Sequence, residues 1–222
     1  EGRFATYTDF AAPVAAMIEL RCESAPVANH EEFIQLANDI AQQLATGPGA
    51  ATPDELLDQP SPSQAGKTLR AQKDDLFNRI REVFNLARIM RIDAASGAYT
   101  HHAGVTKGVL LEVQGGNADA AKDVCMHIAA MNPAAVNKEE LDEALVRKER
   151  EILTEAARSE GKPENIIEKM VDGRMRQFYA QQVLSEQPFV KDDKQTVGKY
   201  ASANGMKLIR FVNWDLGKDD TE

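Results

Sequence analysis

One short pattern occurs twice in this chain and constrains the fold more than any bulk property does. Ala16-Met17-Ile18-Glu19-Leu20 returns as Val109-Leu110-Leu111-Glu112-Val113, each preceded about ten residues earlier by a tyrosine, Tyr7 or Tyr99. Apolar residues around a single glutamate read as a strand. Each strand is followed by apolar positions at three- and four-residue spacing: Phe33, Ile34, Ala37, Ile40, Ala41 and Leu44 in the first case, and Ala121, Val124, Cys125 and Ile128 in the second. Successive strand residues face opposite sides, so Met17 and Leu110 point away from Ile18 and Leu111, and one set must meet the helix. Pro13 before the first strand and Gly108 at the start of the second suit hairpins and antiparallel pairing better than long crossovers. The expected fold class is α+β, with two related subdomains of small antiparallel sheets covered by helices.

A third feature stands apart from the repeat. Lys138 to Glu160 is a highly charged helical stretch whose apolar positions include Leu141, Leu145, Ile152 and Ala156. Gly161-Lys162-Pro163 ends it, and Ile166, Ile167, Met170, Val171, Met175 and Phe178 begin a second helix, giving a protruding helical hairpin of coiled-coil type. A pair of helices has one seam in which to bury apolar groups. The pattern suits equally an arm packed only on itself and an arm that pairs with a second copy or another partner. The regions expected are a first core repeat over 1–46, connector helices over 47–96, a second core repeat over 97–136, the hairpin arm over 137–186, and a return strand with a polar tail over 187–222. Within them Leu76 to Met90 reads as an amphipathic helix, and Lys207 to Val212 as the strand that closes the second sheet. Helix starts are marked by Asn29 with Glu32, by Thr52 with Pro53 and Glu55, and by Asn137 with Glu140.

Composition removes several function classes. Twenty-six basic against thirty-five acidic residues leave a net charge of −9, which disfavours nucleic-acid backbones. No apolar run approaches the ~20 residues needed to span a bilayer, and Glu1-Gly2-Arg3-Phe4 lacks the basic and apolar regions of a signal peptide, so a cytoplasmic location is expected. Cys22 and Cys125 lie in apolar runs and read as buried, reduced thiols. Ala65-Gly66-Lys67-Thr68 imitates the end of a phosphate-binding loop, but Ser61 stands where that loop needs a glycine, so a turn or helix cap is expected instead. His101 and His102, adjacent and without acidic or cysteine neighbours at ligand spacing, do not form a metal site. An enzyme using Glu149, Glu151 or Glu155 as acid or base is the weaker rival, since no histidine, cysteine or serine is grouped with them in sequence. No cofactor, metal or catalytic residue is expected.

Longer ordered motifs are more specific. Asp123 through His127 to Asn132-Pro133 is followed by Lys148-Glu149-Arg150-Glu151, Glu160-Gly161-Lys162-Pro163, Glu168-Lys169-Met170-Val171, Gly173-Arg174, Glu186 to Asp192, and Thr196-Val197. In that order they closely resemble the second half of bacterial elongation factor Ts. Tyr7 through Glu23 with Val27-Ala28, and Leu57-Asp58-Gln59-Pro60 with Gly66-Lys67-Thr68, resemble the first core repeat and linker of the same family. The resemblance implies a guanine-nucleotide exchange factor that binds elongation factor Tu·GDP and promotes GDP release without covalent chemistry, or a scaffold for that partner with weak or lost exchange. It also implies a small helical domain upstream of Glu1. The family's wedge, which disturbs the partner's magnesium site, commonly reads Thr-Asp-Phe-Val; Ser24, Ala25, Pro26 and Val27 stand there in this chain. An ordinary strand-to-helix turn and an altered, uncharged wedge both fit these residues. His127, one helical turn from Asp123, would be structural on its surroundings alone, whereas the resemblance implies contact with the partner's G domain.

Overall fold

Alternating apolar residues at the start of the chain pair β1 (Gly2–Asp9) with β2 (Val14–Arg21) as an antiparallel hairpin. Its turn is held by the Asp9 carboxylate, which accepts the N–H groups of Ala11 and Ala12 at 2.8 and 2.9 Å. The computed structural model describes residues 1–104 and 106–218, so the last residues of the expected tail lie outside them. After β2 come α1 (Ala25–Ala28), α2 (Glu31–Thr46), α3 (Pro53–Leu57), α4 (Leu69–Ile80) and β3 (Asn85–Ile92), and β3 pairs antiparallel with β2. The second half repeats the plan with β4 (Ser96–His101), β5 (Lys107–Gly115) and α5 (Ala118–Met131). Its third strand arrives only after α6 (Glu143–Ser159), α7 (Glu164–Gln182), β6 (Pro188–Phe189), β7 (Asp192–Thr196) and α8 (Val197–Ala203). That strand is β8 (Met206–Asp215), and the sheet orders are β1-β2-β3, β4-β5-β8 and β6-β7. The α+β class is as expected. The chain divides into two compact units, residues 1–129 with the segment from 206 onward, and residues 130–205.

Within the first unit, the two faces of β2 separate as the alternation requires. Ile18 and Leu20 join Phe33, Leu36, Ile40 and Leu44 of α2 in one core. Met17 and Ala15 face the other way, joining Phe4 and Ile92 against Leu110 and Trp214 of the second sheet. Each of the Ile, Leu, Phe and Met side chains contributes roughly 1.5–3 kcal/mol by leaving water. The close approach of the sheets depends on Gly108, where a Cβ would fall 2.6 Å from the Met17 sulfur and 2.7 Å from the Phe4 ring. On the other side of the second sheet, α5 sits so near β4 that a Cβ on Gly97 would lie 2.6 Å from the Ala121 backbone.

The stretch from Leu76 to Met90 departs from expectation. It is not one helix: α4 ends where Arg81 adopts φ 66° and donates its N–H to the Phe77 carbonyl at 2.7 Å, and β3 follows. Phe84 and Leu86 then bury in the first core, and pairing with β2 outweighs a weak helical period. The segment expected as a connector thus supplies a strand, with Leu56, Leu57, Leu69 and Leu76 of α3 and α4 buried in the same core. The cap of α2 is His30, whose Nδ1 accepts the Glu32 N–H at 3.3 Å, while Asn29 closes α1. Thr52 caps α3 as expected, accepting the Glu55 N–H at 3.2 Å.

In the second unit, α6 and α7 form the hairpin around Gly161, whose φ is 71°. Along α6 its seam is shifted by one residue from the expected Leu145, Ile152 and Ala156. Val146, Leu153 and Ala157 face Ile167, Val171 and Met175, whereas Leu145 and Ile152 are 43% and 53% exposed and Ile166 is 43% exposed. The reason lies in doubled apolar positions: Leu145-Val146, Ile152-Leu153, Ala156-Ala157, Ile166-Ile167 and Met170-Val171. Two helices can bury only one member of each pair.

Candidate partner interface

The turn after β2 is the best-defined feature among the candidate residues. Ser24 is in an extended conformation, φ −129° and ψ 150°, and the chain then makes the single helical turn of α1 with Pro26 in its first turn, where a missing N–H costs nothing. The expected loop is therefore a short helix. Ala25 and Pro26 are exposed, Ser24 and Val27 half-buried, and Val27 packs on the first core. What faces solvent is a methyl group and a pyrrolidine ring, uncharged and stiff.

Three anchors from outside the turn hold it. At its start, the Ser24 hydroxyl does not cap α1 but donates to Glu82 Oε1 at 2.6 Å. Glu82 Oε2 accepts the N–H groups of Ser24 and Glu23 at 3.1 and 3.3 Å. At its end, Arg3 Nη1 donates to the Ala28 carbonyl at 2.7 Å, and burial holds the Arg3 guanidinium below its usual pKa. Beneath it, the Cys22 thiol donates to the Ser24 carbonyl at 3.3 Å, with burial pushing that thiol's pKa up. Glu82 was not singled out from sequence. It sits 58 residues from Ser24, just past a helix end, and no local pattern marks it.

His127 is placed differently from the projecting side chain expected of a contact residue. It lies on α5, away in sequence and element from the Ser24–Val27 turn, and it is fully buried, at 0% exposure. Three residues after Val124 and one before Ile128, it falls on the apolar face of the helix. Asp123 is half-buried.

The remaining candidates resolve into structure. Thr68 caps α4 by accepting the Ala71 N–H at 3.1 Å, and Lys67 pairs with Asp75 at 2.6 Å, so Gly66-Lys67-Thr68 is a turn and cap. Tyr99 and His101 share a hydrogen bond of 3.1 Å. Desolvation, with the charges of Arg3 and His101, holds His102 down to about 4. Cys22 and Cys125 are buried free thiols. Among the described residues no group of His, Cys, Asp and Glu is arranged to hold a metal ion, and no helix is long and apolar enough to cross a membrane. A groove of about 460 Å³ between α2 and α4 has charges on its walls, but they are paired with one another, Glu32 with Arg79 and Lys67 with Asp75.

Comparison with known proteins agrees with the ordered motifs. The family described as elongation factor TS matches residues 25–218. An elongation factor Ts from Methylococcus capsulatus is 37% identical over 221 residues, covering 98% of this chain and 74% of the relative. One from Thioalkalivibrio sulfidiphilus is 38% identical over 208 residues, 92% of this chain and 69% of the relative. Another, from Hyphomonas neptunium, is 40% identical over 215 residues, 91% and 69% of the two chains.

Proposed function

This chain belongs to the elongation factor Ts family of translation factors, and from that premise we propose that it binds elongation factor Tu·GDP in the cytoplasm and promotes GDP release. No covalent bond changes. A nucleotide held at nanomolar affinity is bound by ~12 kcal/mol, so an exchange factor works by preferring the empty partner over the loaded one by several kcal/mol. Reciprocity then lets incoming nucleotide displace the factor.

The observation that carries this reading is the anchored turn Ser24–Val27, which presents Ala25 and Pro26 outward from a rigid base. A rigid protrusion can enter a partner's magnesium and phosphate surroundings without first being ordered. Magnesium belongs to the partner. A contact by His127 would require α5 to part from its core, so the turn carries the proposal. The exposed stripe of Leu145, Ile152 and Ile166 on the hairpin is a surface for the same partner or for a second copy of the chain.

Displacement of a fluorescent GDP analogue from GDP-loaded elongation factor Tu tests the proposal; release no faster than the spontaneous rate rejects it. A second reading, a scaffold that binds elongation factor Tu with weak exchange, is favoured by the absence of a carboxylate and an aromatic ring at Ala25 and Pro26. Copurification with elongation factor Tu but no accelerated release selects it. On the exchange reading, Ala25→Asp with Pro26→Phe speeds GDP release, and unchanged or slower release counts against the wedge.

A further inference from the structure

We propose that Glu82 is a positioning residue for nucleotide release, its carboxylate holding the Ser24–Val27 turn in the conformation that offers Ala25 and Pro26 to the partner. The inference rests on the exchange reading of that turn and names the group that makes the turn rigid.

A one-turn helix does not hold itself in water, because the cost of nucleating it is not recovered within four residues. Its shape must be imposed from outside. Val27 supplies an apolar anchor, Arg3 fixes the last carbonyl and the Cys22 thiol meets the Ser24 carbonyl from beneath, while the N–H groups at the start of the turn and the Ser24 hydroxyl are held by Glu82. Both of its carboxylate oxygens are used: Oε1 takes the Ser24 hydroxyl at 2.6 Å, and Oε2 takes the two consecutive N–H groups of Glu23 and Ser24. Hydrogen bonds to an ionised acceptor are the strong kind, and three converging on one group fix orientation as well as distance.

The carboxylate is delivered from a firm base. Arg81 before it closes α4 in a left-handed cap, and Phe84 two residues beyond is buried, as is Leu86 at the head of β3. Glu82 thus ties the start of the wedge to the junction between α4 and the third strand. Val83, its neighbour, is 61% exposed, which places an apolar group next in sequence to the clamp. The carboxylate accepts from all three groups with a full charge. A glutamine can keep its oxygen on the two N–H groups and donate its NH₂ to the Ser24 hydroxyl oxygen, so only truncation to alanine removes all three bonds.

The test separates the clamp from the function it serves. In the free chain, Glu82→Ala should raise hydrogen exchange at the Glu23 and Ser24 amides at least tenfold, with helix content and thermal midpoint close to those of the parent. With GDP-loaded elongation factor Tu, the maximal release rate should fall about tenfold, while the factor concentration giving half-maximal rate changes less than threefold. Ser24→Ala, which removes one of the three bonds, should fall between parent and Glu82→Ala, and the double variant should be no slower than Glu82→Ala alone. Unchanged amide exchange in Glu82→Ala overturns the clamp. Faster amide exchange with parent-like GDP release overturns its role in positioning. A parent chain that does not accelerate release removes the exchange reading, and Glu82's part in it, whatever the amides show.

Discussion

The two repeats of the first unit share a plan and differ in how their glutamates are housed. Glu19 pairs with Arg88 across β2 and β3, and Glu112 pairs with Arg210 across β5 and β8, each just before a break in register. Tyr7 lies opposite Ala16, the first residue of its strand motif, as Tyr99 lies opposite Val109. Yet Glu19 is fully buried, taking Arg88 Nε at 2.5 Å, Arg21 Nε at 2.6 Å and the Gly217 N–H at 2.9 Å. Glu112 meets Arg210 at 2.6 Å, but the Arg210 side chain is 57% exposed. The difference comes from the end of β8. Trp214 slides under Arg88, 4.5 Å from its guanidinium, the Asp215 carbonyl accepts Arg88 Nη2 at 2.8 Å, and Gly217 reaches Glu19. The same residue pair at the same strand position is an interior network in one repeat and a surface ion pair in the other.

Removing Arg88 leaves the buried Glu19 carboxylate with only Arg21 and the Gly217 N–H of the partners named above, on one of its two oxygens, so the largest effect is expected for Arg88→Met, a loss of about 3 kcal/mol in urea unfolding. A loss below 1 kcal/mol would mean that burial of Glu19 carries no such cost and would erase the contrast. Next comes the backbone approach in the second repeat. Ala5 lies opposite Ile18 as Gly97 lies opposite Leu111, so the first repeat tolerates a methyl group where the second has none. Gly97→Ala should nevertheless cost about 1–3 kcal/mol, because its Cβ meets the Ala121 backbone rather than a movable side chain. Thermal unfolding reads it, and a neutral result would mean that α5 can withdraw from its sheet. The surface member of the comparison, Arg210→Met, should change stability by no more than about 1 kcal/mol, and less at high salt.

The smallest effect concerns the hairpin turns, closed by the Asp9 carboxylate in one repeat and carrying His101 and His102 in the other. The folded chain leaves His102 neutral down to about 4, whereas an unfolded chain protonates it near the ordinary 6.5. Between those values the unfolded state binds more protons, so stability falls as pH drops through that window. Neighbouring atoms crowd the His102 ring, but the residue still presents much of its surface to solvent, and screening there keeps the effect below about 1 kcal/mol. Urea midpoints from pH 7 to pH 4 should show that slope shrink in His102→Gln; an unaltered slope would assign it to other groups.

Much of this architecture could be read in advance. The duplicated strands, the return of Lys207 to Val212 to the second sheet, the helical hairpin, and the Thr52 cap all followed from short-range pattern, because period and capping are local properties. The misreadings share a cause. From Leu76 to Met90 the apolar spacing was compatible with a helix, and only pairing with β2 made part of it a strand. On the hairpin, doubled apolar positions left two equivalent faces, and the partner helix chose one. At the candidate site, the Ser24–Val27 turn and the structural place of His127 among apolar helix neighbours were legible, but the anchor at Glu82 was not.

Amino-acid order alone determined the strand motif, the spacing of helix faces and the family to which the chain belongs, since each rests on which residues are near neighbours along the chain. Tertiary structure alone decided that one glutamate became an interior network and its twin a surface pair. It also decided that a carboxylate 58 residues away holds the turn after β2. Burial and hydrogen bonding depend on what packs over a group, and for these residues the covering atoms come from distant parts of the sequence.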